Sequence, residues 1–442
     1  MHPKAVLDEC TELVRLALKF DHPADSVVSR YFRDHRNLGP RERATLAETV
    51  YTVLRKKLLF DHLAPSGSGP KERRLAILGF AHSLDDQLRR SQPADAKPQR
   101  ASRDFIYGGL NDQEKNWLDQ CDQVEPSDLM DRHRHNLPEW LVQPLRAQLQ
   151  DEFWPLVESL NRGAGLDLRV NTMLGKRAEV QAELAKAGVK ATPTPYSPWG
   201  LRLLDKPNLQ KVEAFTRGAI EVQDEGSQLL ALLLDAKRGE MVADFCAGAG
   251  GKTLAIGAGM RSTGRLYAFD TSGHRLDALK PRLARSGLSN VHPVAIAHER
   301  DERIKRLAGK MDRVLVDAPC SGLGTLRRNP DMKWRQSPQA VAELVVKQTA
   351  ILASAARLLK PGGRLVYATC SVLPEENEAI AEAFSAAHPA FSPLEIADVL
   401  TQLKVEDAGK LCSGGANGGS FLRLWPHRHG TDGFFAAAWQ KK

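Results

Sequence analysis

Along the first 135 residues, apolar side chains recur every three or four positions. Val6, Cys10, Leu13, Ala17 and Phe20 share one helical face, and the same spacing returns over residues 26–32, 41–63 and on to about Arg90. Stripes of that period predict amphipathic helices, so the chain opens on an all-α domain over 1–135. Two polar stretches, Ala64-Pro-Ser-Gly-Ser-Gly-Pro70 and residues 91–100, read as connectors. Beyond them the pattern changes. Pro138 suits the first turn of a helix running to about Leu149. Strand-like runs at 166–171, 200–204 and 219–223, with a helical pattern over 177–187, then predict a small α/β subdomain over 136–225.

From Glu240 the alternation is regular. Short runs rich in Val, Leu and Ala occupy 241–246, 265–270, 291–297, 313–317 and 364–369, each leading towards a helical pattern, and two more at 420–425 and 433–439 flank a short polar loop. Continuous apolar runs of this length suit parallel strands buried on both faces. Five β-α units closed by a hairpin predict a Rossmann-like α/β domain over 226–442 with a mostly parallel seven-stranded sheet, the arrangement of class I S-adenosylmethionine-dependent methyltransferases.

Composition narrows the partners. At 442 residues two or three cores are expected. The formal charge of +8, concentrated after residue 150, suggests an anionic partner. Apolar runs such as Leu229–Leu234 fall far short of the ~20 residues of a membrane span. With no signal-peptide pattern, a cytoplasmic protein without a membrane partner is expected. Six scattered cysteines without a CxxC pair or a matching His predict free thiols rather than a metal site or a disulfide framework. Nothing indicates an oligomer, and a monomer is expected.

The candidate chemistry lies at strand ends. Asp244-Phe-Cys-Ala-Gly-Ala-Gly-Gly-Lys-Thr253 follows the first strand and opens a helix, and Cys246, Ala247, Gly248, Ala249, Gly250, Gly251 and Lys252 are the candidate cofactor contacts. A P-loop would need Gly at 246, and the dinucleotide fingerprint a small residue at 253, so neither fits. Asp270 ends the next strand about 20 residues on, where a carboxylate accepts from ribose hydroxyls.

Two further strands end in cysteines, Asp317-Ala-Pro-Cys320 and Ala368-Thr-Cys370. Adjacent strands would turn both thiols into one crevice. Carbon 5 of a pyrimidine is a poor nucleophile, but a thiolate added at carbon 6 makes it enamine-like and able to accept a methyl group. The adduct must then lose the carbon 5 proton to a second thiol or to water. Asp317 is placed to hold the base near ring nitrogen 3 and is also counted with the cofactor contacts. Pro374 predicts a helix N-terminus aimed at the thiols, partly opposed by Glu375 and Glu376.

At these residues the chain resembles the NOL/NOP/Sun family of RNA 5-methylcytosine methyltransferases, its bacterial ribosomal RNA branch in particular. Residues 317–334, Asp-Ala-Pro-Cys-Ser-Gly-Leu-Gly-Thr-Leu-Arg-Arg-Asn-Pro-Asp-Met-Lys-Trp, and 367–378, Tyr-Ala-Thr-Cys-Ser-Val-Leu-Pro-Glu-Glu-Asn-Glu, carry the resemblance. Gln223-Asp-Glu-Gly-Ser-Gln228 and Leu168-Arg-Val-Asn171 extend it over about 136–442. It implies Cys370 as nucleophile, Cys320 in product release, S-adenosylmethionine as cofactor and an RNA-binding role for the helical domain. Two departures stand out. Ala249 replaces the family's usual proline, and the usual acidic residue after the third strand is missing near Ala297-His298, leaving Glu299 or Asp301 as alternatives for adenine.

A cytosine in ribosomal RNA is therefore the expected target, with transfer RNA as the alternative substrate. A non-catalytic RNA-binding assembly factor and a dinucleotide-dependent oxidoreductase are the competing classes. Arg327, Arg328, Lys333 and Arg335 are expected to hold RNA backbone; Arg30, Arg33, Arg36, Arg41 and Arg43 form either a second phosphate-contacting cluster or a solvated turn. Close thiols also predict that a mild oxidant inactivates the protein and that dithiothreitol restores it.

Overall fold

The computed structural model describes residues 1–90, 99–414 and 420–442, so most of the polar connector expected over 91–100 lies outside the described residues. Two compact units emerge, one of Met1–Gly163 with Leu326–Ser337, the other of Ala164–Thr325 with Pro338–Lys442.

The first unit is helical. Helices Pro3–Ala17, Pro40–Arg55 and Lys71–Arg90 form its centre around Leu7, Leu13, Leu46, Leu54 and Ile77. It extends past the expected boundary at residue 135, because helices Glu139–Leu149 and Phe153–Leu160 are held to it. The Asn136 side chain accepts from the Leu59 amide at 3.0 Å, and His135 stands edge-on to Phe153 at 6.3 Å.

The second unit contains two sheets. In the smaller, β1 (Leu166–Val170), β2 (Ala191–Pro193), β3 (Gly200–Leu203) and β4 (Ile220–Val222) pair antiparallel in the order β2-β3-β1-β4. The larger contains β5 (Met241–Phe245), β6 (Arg265–Asp270), β7 (Val291–Ala295), β8 (Met311–Asp317), β9 (Leu359–Thr369), β10 (Phe391–Pro393), β11 (Cys412–Gly414), β12 (Ser420–Leu424) and β13 (Phe434–Lys441). Their order is β11-β12-β13-β9-β8-β5-β6-β7, with β10 on β13. The sheet thus has nine strands rather than seven, since β10 and β11, three residues each, show no readable period.

β5 to β9 run parallel, and β13 enters antiparallel beside β9. Leu365, Val366, Tyr367 and Ala368 of β9 are wholly buried, as a continuous apolar strand should be. Each large apolar side chain so covered contributes about 1.5–3 kcal/mol. The strand order reverses on either side of β5, and this switch point is where open α/β sheets bind ligands.

Candidate active site

The strand ends bring together the residues that carry chemistry. Val316 faces Tyr367 and Asp317 faces Ala368 in the β8–β9 register, so both chains leave the sheet side by side. The Ala318 amide donates to the Ala368 carbonyl at 2.9 Å and the Gly324 amide to the Cys370 carbonyl at 2.8 Å. A Cβ on Gly324 would lie 2.1 Å from the Gly433 carbonyl oxygen, so only glycine permits this approach. As a result Cys320 Sγ lies 3.4 Å from Cys370 Sγ. The Cys320 thiol is pushed well above its ordinary range, first by its hydrogen bond to Cys370, then by burial and by the charges of Cys370 and Glu376.

Lys252 leaves the cofactor loop for the thiol side. Its ammonium pairs with Asp317 at 2.7 Å. Burial alone would lower its pKa, but Asp317, followed by Cys370 and Asp244, raises it, so the ammonium stays charged beside the pair. Asp244, at the base of the loop, is raised to about 7 by burial, although the Thr253 hydroxyl donates to it at 2.6 Å. Asp317 therefore reaches the crevice already bound to a cation, a pairing that the sequence reading omitted.

The loop after β5 is held in an unusual shape. Cys246, Gly248 and Gly250 all have positive φ, at 95°, 56° and 80°. For Cys246 this conformation costs about 1–3 kcal/mol. It is fixed from outside: the Cys246 and Ala247 amides donate to the Phe269 carbonyl, and the Gly248 amide donates to Asp270 at 2.8 Å. The half-buried Cys246 thiol is raised well above its ordinary value, chiefly by desolvation, and acts as a small apolar group. Arg282 donates to the Ala249 carbonyl at 2.6 Å, bracing the turn where proline is usual.

This turn fits an adenosyl group. A Cβ on Gly248 would meet nothing within 4 Å, leaving its backbone approachable. Asp270 accepts from Gly248 and Ser272, and its remaining lone pairs suit ribose hydroxyls. Gly250 opens the helix Gly251–Gly259, and its Cβ would meet Leu279 Cδ1 at 2.2 Å. Gly250→Ala is expected to cost about 1–3 kcal/mol, lowering the melting temperature by several degrees and weakening S-adenosylmethionine binding in calorimetry.

Three expectations change in the structure. Pro374–Glu376 is one 3-10 turn and the α-helix starts only at Glu378, because Asn377 departs from helical geometry at ψ −99°; no extended helix dipole points at the thiols. Glu376, rather than standing at an open helix end, is wholly buried under both cysteine loops, and its charge still raises the Cys320 thiol. Lys333 is only 2 % exposed and donates to the Arg55 carbonyl at 2.8 Å within the helical unit, so it offers no surface charge. Its amine is driven well below its ordinary pKa by burial, with Arg55 adding to the effect.

The neighbouring cations differ in exposure. Arg335 is exposed and paired with Asp331 at 3.5 Å, while Arg327 and Arg328 are half-buried. Arg30, Arg33, Arg36 and Arg41 are exposed, whereas Arg43 donates to the Leu38 carbonyl and covers the Phe32 ring. Asp301 caps the short helix Glu302–Lys305 and accepts from the Ala297 and Arg303 amides, which occupies the carboxylate near the missing adenine contact. Among the described residues no group of His, Cys, Asp or Glu could hold a metal ion, and no helix is long and apolar enough to cross a membrane.

Comparison with known proteins agrees with this geometry. Residues 231–440 match the model of the 16S rRNA methyltransferase RsmB/F, and residues 137–210 match the ferredoxin-like domain of RsmF/B-like methyltransferases. The chain is 32 % identical to a probable ribosomal RNA small subunit methyltransferase B of Synechocystis, over 95 % of this chain and 96 % of that protein. A similarly named probable methyltransferase B of Bacillus subtilis is 30 % identical, over 92 % of both chains. The crystal structure of PH0851 superposes with a TM-score of 0.76 at 28 % identity, covering 100 % of this chain and 99 % of that one. A methyltransferase homologue from Pyrococcus horikoshii, also 28 % identical, gives 0.59 over 72 % of this chain and 100 % of its own. With this strand order, this glycine turn and relatives matched over almost their full length, the chain belongs to the 16S rRNA methyltransferase RsmB/F family, and S-adenosylmethionine is its cofactor.

Proposed function

We propose that the protein methylates carbon 5 of a cytosine in ribosomal RNA through a covalent adduct with Cys370. The observation that carries this reading is the pair of thiols 3.4 Å apart at neighbouring strand ends, beside the Lys252–Asp317 ion pair. S-adenosylmethionine supplies an electrophilic methyl group. The residues of the chain perform the remaining steps. Cys370 is the attacking sulfur, the role that the resemblance gives to the cysteine of the Thr369-Cys370 motif. Its bond to carbon 6 makes carbon 5 electron-rich. Asp317, half-exposed and steadied by Lys252, holds the base edge near ring nitrogen 3. Cys320, once it has released its own proton to solvent, removes the carbon 5 proton as a thiolate, the electrons re-form the ring double bond, and Cys370 leaves.

The target base must be unstacked to reach the thiols, so RNA backbone has to be held while one nucleotide is turned out. Arg327, Arg328 and Arg335 remain the proposed contacts; Arg327→Ala with Arg328→Ala should weaken RNA binding and flatten its salt dependence. A relative named for ribosomal RNA over nearly its whole length favours that substrate over transfer RNA. The intact thiol pair favours an enzyme over a passive assembly factor. Bisulfite sequencing of total RNA from cells with and without the gene tests the proposal. One or more small-subunit ribosomal cytosines should lose protection without it; a change confined to transfer RNA, or none, would overturn it.

A further inference from the structure

Beneath the two thiols lies a wholly buried carboxylate that the chemistry above does not use. Glu376 Oε1 accepts from the Ser321 amide at 2.8 Å and from Gln348 Nε2 at 2.9 Å. Its other oxygen accepts from the Ser321 hydroxyl at 2.5 Å and from the Ser371 hydroxyl. Ser321 follows Cys320 and Ser371 follows Cys370, so one side chain is bonded to both loops. Gln348 also donates to the Pro319 carbonyl at 2.9 Å, and the two serine hydroxyls lie 3.2 Å apart. Every one of these side chains is fully buried.

A carboxylate with four neutral donors and no exposure is a costly group to keep in a core. Tying loops alone could be done by an amide. We propose that Glu376 is the positioning residue of the thiol pair, its carboxylate fastening the Cys320 loop to the Cys370 loop so that the two sulfurs stay at reacting distance. The consequence for catalysis rests on the two-thiol chemistry proposed above. Geometry comes first: both loops leave adjacent strands, and the bonds from Ser321 and Ser371 add to the backbone bonds between them by closing them one residue beyond each cysteine. Charge comes second. The negative charge of Glu376 works in the same direction as burial and the Cys370 bond in keeping Cys320 protonated.

Two substitutions separate these effects. In Glu376→Gln the amide oxygen can accept from the Ser321 amide and Gln348, while its NH2 donates to the two hydroxyls, which rotate to accept. The tie survives and the charge is lost. In Glu376→Ala both are lost. The full-length protein is treated with diamide, which takes two electrons and two protons from the thiols to form the Cys320–Cys370 disulfide; dithiothreitol reverses it. Cross-linking should match wild type in Glu376→Gln and slow at least tenfold in Glu376→Ala, with S-adenosylmethionine binding retained in both. Iodoacetamide at fixed pH, read by peptide mass spectrometry, should label Cys320 faster in Glu376→Gln than in wild type. Wild-type cross-linking in Glu376→Ala overturns the tie, and unchanged labelling in Glu376→Gln overturns the charge. If Glu376→Ala does not fold, Ser321→Ala with Ser371→Ala removes both hydroxyl bonds to Glu376, the Cys370-loop end of the tie among them, and leaves the Ser321 amide bond; a wild-type cross-linking rate there overturns the proposal. These readouts need no methyl transfer, so a protein that fails to methylate cytosine would refute the proposed function and still report on Glu376.

Discussion

Cys370→Ser is expected to reduce methyl transfer to RNA by roughly 10⁴-fold or more, as loss of a covalent nucleophile does elsewhere. A serine hydroxyl holds its proton far more tightly than a thiol and is a much weaker nucleophile towards carbon 6 near neutral pH. The fold should be untouched. The loop is fixed by its neighbours, with Thr369 Oγ1 donating to Asn377 Oδ1 at 2.5 Å, Asn377 Nδ2 to the Ser371 carbonyl at 3.1 Å, and the Tyr367 hydroxyl to the Glu376 carbonyl at 2.6 Å. S-adenosylmethionine affinity, melting temperature and RNA affinity should therefore stay at wild-type values while single-turnover transfer disappears. Activity above about one per cent of wild type would show that another group attacks the base.

Cys320→Ala should fail in a different way. The attack by Cys370 and the methyl transfer do not require Cys320, but removal of the carbon 5 proton does, and the next sulfur is gone from its place 3.4 Å away. The protein should therefore stop after one turnover with RNA covalently attached. A band resistant to denaturant, dependent on S-adenosylmethionine and abolished by adding Cys370→Ser, is the expected result. Steady turnover without such a band would assign the final deprotonation to water. The substitution is small and leaves the Ser321–Glu376 link in place, so loss of fold is not expected to confuse the outcome.

The chemistry was legible because it sits in short, continuous motifs. Cys320 and Cys370 each end an apolar run, and continuous burial with parallel pairing brings such ends to one edge of the sheet. Asp270 follows the same logic, one strand along from the glycine turn. Residues whose role depends on a distant partner were less visible. Lys252 stands among glycines and reads as part of the cofactor loop, yet its long side chain reaches Asp317, 65 residues away. Gln348 lies midway in a helix with no motif to mark it, and Pro374-Glu-Glu reads as a helix start until Asn377 turns the backbone. Lys333 looked like surface charge among other cations; only packing within the helical unit shows it buried on the Arg55 carbonyl.

Hydrophobic periodicity and strand-end motifs by themselves determined the class of fold, the cofactor turn and the two cysteines, since each depends on residues close in sequence. The tertiary structure decided how far apart the thiols lie, how burial and hydrogen bonding shift Cys320, and which charges surround them. Those properties arise from burial and from hydrogen bonds closed between segments 28 to 65 residues apart, from Glu376 to Gln348 and from Lys252 to Asp317. Their strength depends on exclusion of water, which no local pattern of residues encodes.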